Sequence, residues 1–133
     1  MQTLMDKVVL ITDAIRDRRQ LTFMINVHAR QACPHVLGTK QGKWHLFAWQ
    51  FAGTSSHALQ SGEERWRCFE VADISDLLVQ DGEWHRGWIT GKRDHHSLCM
   101  DNEVAIVDPA YAAETQSAAS FRIPPPPQRR ARP

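Results

Sequence analysis

Apolar residues at Leu4, Val8, Ile11 and Ile15 recur at helical spacing and form one stripe. Thr3, with Asp6 three residues on, supplies a capping arrangement at the start, and Arg16, Arg18 and Arg19 complement the dipole at the end. The period then changes to two. Leu21, Phe23, Ile25 and Val27 alternate with Thr22, Met24 and Asn26, which predicts a strand with one buried face for the helix to cover.

After a polar break at Asn26 to Ala29, the run Arg30 to Leu37 reads as extended. Pro34 cannot donate a ladder hydrogen bond, which places this strand at an edge or bends it there. A turn over Gly38 to Gly42 leads into KWHLFAWQF, Lys43 to Phe51, the most apolar and aromatic run after the helix and the predicted central strand. Trp44, Leu46 and Ala48 form one of its faces; His45, Phe47, Trp49 and Phe51 form the other. A Gly/Ser/Gln-rich loop follows from Ala52 to Glu64. Alternation resumes at Trp66 to Val71, and Ile74 to Val79 forms a strand ahead of the Asp81-Gly82 turn.

Five strands within about sixty residues, joined mostly by short turns, predict a mainly β (α+β) fold: a small, bent antiparallel sheet or barrel behind an N-terminal helix. Further strand pattern at Glu103 to Val107 stops at Pro109, and Ala110 to Ala119 reads as a turn or two of helix. From Ser120 the chain becomes a Pro run flanked by arginines, too poor in apolar surface to fold and suited to an extended polyproline tail. The expected organisation is one domain over residues 1–109 and an Ala-rich segment with a disordered tail over 110–133. IPPPPQRR within the tail also resembles a ligand for an aromatic groove.

Composition narrows the class. A chain of 133 residues suits one domain that needs no disulfide staples. Its three cysteines, with no signal-peptide pattern ahead of them, predict free thiols in a reducing cytoplasm. No apolar run reaches membrane-spanning length, so no membrane association is expected. The formal charge is +1, and setting aside the four tail arginines leaves the body at −3. An acidic body is poorly suited to general phosphate binding, which draws on clustered Lys and Arg.

The order helix, strand, Arg30-Gln31-Ala32-Cys33-Pro34-His35-Val36-Leu37-Gly38, then Trp44-His45-Leu46, then Arg67-Cys68-Phe69-Glu70-Val71-Ala72-Asp73-Ile74 resembles a WYL domain from Leu4 to Val79. Trp44, His45 and Leu46 stand at the tripeptide that names that family. The resemblance implies an Sm- or SH3-like small barrel and a ligand-sensing role in bacterial transcription regulation, with nucleic acids or nucleotides among the ligands of some members. The motif positions that carry over are Pro34 with His35, the tripeptide, and Arg67. Ile25 replaces a frequent tyrosine and Cys33 an acid. Glu70 and Asp73 stand where cations are common, and carboxylates there would repel a phosphate. Too little chain precedes Leu21 for a helix-turn-helix, so direct reading of duplex DNA is not expected.

The expected ligand pocket comprises His35, Trp44, His45 and Arg67. Each residue has a plainer role as well. Trp44 and Phe47 also suit a core, His45 suits a sheet edge, and Arg67 could pair with Glu70 or Asp73 instead of gripping an anion. His95, His96 and Cys99, with Cys33 and His35, are acceptable zinc ligand types but lack a paired C-x-x-C, so no metal site is assigned. No nucleophile motif accompanies the cysteines, so no catalytic residue and no cofactor are expected. The resulting expectation is a non-enzymatic module for a small ligand or a partner protein. Single-stranded nucleic-acid binding and a metal-stabilised interaction protein are the alternatives.

Overall fold

The computed structural model describes residues 2–53, 66–90, 99–111 and 114–116. Helix α1, Leu4–Asp17, begins at a reciprocal capping box: Thr3 Oγ1 accepts from the Asp6 amide at 3.0 Å, and Asp6 accepts from the Thr3 amide at 2.9 Å. It ends at Arg18, whose left-handed φ of 55° stops the helix while its amide closes on the last turn. Val8, Ile11, Ala14 and Ile15 are buried, whereas Leu4 lies exposed at the margin of the predicted stripe.

β1, Gln20–Ile25, and β2, His28–Lys40, form a hairpin that closes at the Ile25–His28 pair. The predicted polar break is thus only two residues long, with Asn26 at φ 56° and Val27 turned into solvent. β2 continues into β3, Lys43–Gly53, through Gln41 and Gly42, both at positive φ as a two-residue hairpin turn requires. Gly38 belongs to β2 and not to this turn. A Cβ at Gly38 would collide with the Asn102 carbonyl and the Met100 sulfur, so the close approach of a neighbouring strand requires glycine there.

β4, Trp66–Glu70, pairs with β3, and a 3-10 turn at Val71–Asp73 leads to β5, Ser75–Gln80, which pairs with β1. Later segments add β6, Trp88–Thr90; β7, Asn102–Ile106; a 3-10 turn at Pro109–Tyr111; and β8, Glu114–Gln116. β6 and β8 form a separate parallel pair, so part of the predicted Ala-rich helix is a strand.

The main sheet has six strands in the order β4-β3-β2-β1-β5, with β7 also on β2. All its ladders are antiparallel. The mainly β expectation therefore holds, with an N-terminal helix and an open sheet: among the described residues no ladder joins β4 to β5. β2 is central rather than at an edge. It meets β1 through residues up to Ala32 and β7 from Val36 onward, and Pro34, which has no N–H to give, falls in the gap between them.

The two faces of this sheet carry separate cores. On the helix side, Val8, Ile11 and Ile15 pack with Leu21, Phe23, Leu46, Ala48 and Phe69. On the other side, Val36, Phe47, Trp49 and Trp66 pack with Cys99 and Met100. A disulfide joins Cys68 to Cys99, leaving only Cys33 as a free thiol, which corrects the expectation that all three cysteines are free. Among the described residues, no helix is long and apolar enough to cross a membrane. Most of the predicted Ala52 to Glu64 loop, His95 and His96, and the tail from Ser120 lie outside the described residues.

Candidate functional site

Side-chain alternation along β3 and β4 sorts the candidate residues by face. Arg67 pairs opposite Ala48 and projects with Phe69 to the helix side of the sheet. Arg30 enters the same face from β2, where it stands opposite Phe23. Its guanidinium lies 5.6 Å from the centre of the Phe69 ring, and its Nη1 donates to Gln50 Oε1 at 3.2 Å. Gln50 is fully buried and its amide nitrogen donates to the Ala52 carbonyl at 3.4 Å. Arg30 Nε, in contrast, is buried without a hydrogen-bond partner among the described residues.

The electrostatics follow from this packing. Burial first, and the charge of Arg67 second, hold Arg30 below the ordinary arginine pKa. Among the described residues neither guanidinium has an ion pair. An orphaned buried donor costs about 1–3 kcal/mol, and two neighbouring cations add repulsion. A carboxylate or phosphate oxygen at this place would relieve both, because an arginine can present Nε–H and an Nη–H together as a fork.

The structure distributes the four predicted pocket residues over both faces. Trp44 shares the helix-side face with Arg67 but packs against the core four positions before Ala48, about 13 Å along the strand. His45 pairs with Glu70 and points to the opposite face. Glu70 also lies on that face, three residues from Arg67, and the alternative ion pair of Arg67 with Glu70 or Asp73 is not among those formed by the described residues. His35 is enclosed at 3% exposure between Trp66 and Trp84, with ring centroids 4.9 Å away on either side. Its Nδ1 faces the Cys33 carbonyl at 3.0 Å and its Nε2 faces the Arg86 carbonyl at 3.1 Å. Burial pushes its pKa down to about 4 against the opposing pull of those carbonyls. The imidazole is therefore neutral at pH 7 and structural in its contacts.

Cys33, beside it, accepts the His85 amide on its sulfur at 3.3 Å, and burial pushes its thiol up to about 11. That thiol stays protonated at neutral pH, the unreactive form. Among the described residues no group of three metal-ligating side chains assembles, and Cys99 is committed to the disulfide.

Arg30 and Gln50 are the residues that sequence reading missed. The available signal was parity: Arg30 is two positions before the inward Ala32, and Gln50 is two after the inward Ala48, so each is a polar residue on a core-facing row.

No protein-family model matches the chain. No curated protein matches it. Among solved structures it is similar to proteasome accessory factor B/C (PafBC) of Arthrobacter aurescens, at 15% sequence identity and a TM-score of 0.47. That similarity covers 74% of this chain and 15% of the length of the other.

Proposed function

We propose that the chain is a non-catalytic, WYL-like binding module in which Arg30, Gln50 and Arg67 recognise an anionic group on a small or nucleotide-like ligand. The observation that carries the reading is the buried Nε of Arg30, without a hydrogen-bond partner among the described residues, beside a second guanidinium. Buried donors are hydrogen-bonded in the great majority of folds, so one that is not calls for an explanation, and an anionic ligand supplies one. Phe69, buried in the helix-side core beneath Arg30, supports the guanidinium from below.

The small-barrel form of the family belongs to this reading too. It is supported by the 3-10 turn that links the two outermost strands of the sheet path, β4 and β5. A cytoplasmic location and output through a partner protein complete the proposal.

The test is calorimetric titration of the full chain with inorganic phosphate, acetate and a short oligonucleotide, each at two salt concentrations. Phosphate or acetate binding that weakens about 10- to 100-fold in Arg67→Ala is expected, since a charge-assisted guanidinium contact is worth about 1.5–3 kcal/mol. Full affinity retained by a folded Arg67→Ala would remove this site from the reading. An oligonucleotide that binds far more tightly than either small anion, with steep salt dependence, would favour single-stranded nucleic acid as the ligand.

A further inference from the structure

Arg67 and Cys68 are neighbours on β4, facing opposite sides of the sheet, and only one of them is covalently held. β4 has five residues and pairs with β3 alone, so it is an edge strand among the described residues. The bond from Cys68 to Cys99 ties it across the second core to the segment that leads into β7. That segment is also held by the Asp101 amide on the Thr39 carbonyl at 2.8 Å and by the Val107 amide on the His35 carbonyl at 2.8 Å. Two edge elements, β4 and β7, thus share one covalent link, whereas β1, β2, β3 and α1 are joined by ladders and by the helix-side core.

The cysteines differ in access. Cys68 is exposed and Cys99 is 2% exposed. We infer that the Cys68–Cys99 bond is a thiol–disulfide exchange site, opened by a dithiol reductant attacking at Cys68, which releases β4 and β7 and with them the fixed position of Arg67. The reductant's thiolate bonds to Cys68 Sγ and expels the Cys99 thiolate, which takes up a proton. The second thiolate of the reductant then closes on its own partner sulfur and expels Cys68, which is protonated in turn. Two electrons and two protons pass to the protein, and the dithiol leaves as a disulfide.

The release is local. Cys99 and Met100 sit in the smaller core with Phe47 and Trp66, which loses its tether when the bond opens, while Leu21, Leu46, Ile11 and Ile15 remain packed in the other. The effect on ligand affinity rests on the anion-site reading, but the opening itself does not.

Full-length protein purified without reductant is tested before and after treatment with dithiothreitol. One thiol should titrate in denaturant before reduction and three after it; three thiols at the outset would overturn the exchange site. Amide exchange should accelerate at 66–70 and 102–106 toward the rate of unstructured chain, while 11–15 and 21–25 stay protected. Uniform loss of protection, or none, would overturn the inference, and Cys99→Ser should reproduce the reduced pattern without reductant. Inorganic phosphate should bind at least tenfold more weakly to the reduced form. Selective opening with unchanged phosphate affinity overturns the link to Arg67. Selective opening with no phosphate bound by either form leaves the exchange site standing and removes the anion reading.

Discussion

His35 makes this protein sensitive to mild acid, and the sign can be worked from its surroundings. The unfolded chain takes up a proton at the ordinary histidine value of 6.5, while burial holds the folded imidazole down to about 4. A folded pKa below the unfolded one means that the unfolded state binds more protons between those values, so unfolding is favoured as the pH falls. The contribution is fully present above pH 6.5 and declines toward pH 4. A displacement from 6.5 to about 4 corresponds to about 3 kcal/mol, a large share of the 5–15 kcal/mol typical of a domain.

That figure is an upper bound. Both ring nitrogens face carbonyl oxygens, so a neutral imidazole can donate to only one of them, whereas the protonated ring donates to both. Urea unfolding of the full chain at pH 7.5, 6.5, 5.5 and 4.5 provides the assay, with His35→Asn as the reference. The other titrating groups are common to both proteins and largely cancel in the difference. Wild-type stability should fall by up to about 2 kcal/mol more than that of the variant over this range, since the full displacement is expressed only below pH 4. Parallel curves, or a histidine resonance for His35 that titrates near 6.5, would refute the reasoning.

Four further outcomes are expected. Arg30→Met removes an orphaned donor and a like-charge neighbour but takes from buried Gln50 Oε1 its donor, so the ligand-free protein should stay within about 1 kcal/mol of wild type, while phosphate no longer raises its melting temperature. Reducing the disulfide should lower stability by about 3.7 kcal/mol on chain-entropy grounds for a sequence separation of 31, read from urea midpoints with and without dithiothreitol. Thr3→Ala should cost about 1 kcal/mol by opening the capping box, with the loss seen in thermal melts. Gly38→Val should displace β7 while sparing α1, giving faster amide exchange at 102–106 than at 11–15.

Local patterns carried most of the fold. Helical spacing from Leu4 to Ile15 and alternation through Phe23, Phe47 and Phe69 located α1, β1, β3 and β4, because each element turns one face to a core. Distant pairings were not legible. Pro34 pointed to an edge or a bend, and only the arrival of β7 from more than sixty residues away shows why a central strand tolerates it. Gly38 looked like part of a turn, yet its smallness serves that same distant strand. Parity misled for the pocket: His45 and Arg67 were grouped by motif, whereas the pairing of β3 with β4 sends them to opposite faces. Parity with Ala32 put Arg30 on a core-facing row, but its partners Gln50 and Phe69 come from other strands and only the pairings place them around it.

The division of β2 between two partners also sets an order of events in time. Its first part meets β1 across a two-residue turn, and Arg30 to Lys40 meet β3 across another, so those contacts close early and locally. The edge at Val36 to Thr39 has to wait for β7. During synthesis, all of α1 through β5 emerges from the ribosome before that strand does, and in this interval β2 presents an apolar, unpaired edge to any other nascent chain. A chain arrested after Gln80 should therefore hold a folded helix-side core and still aggregate. Adding a synthetic peptide spanning 99–107 should suppress that aggregation.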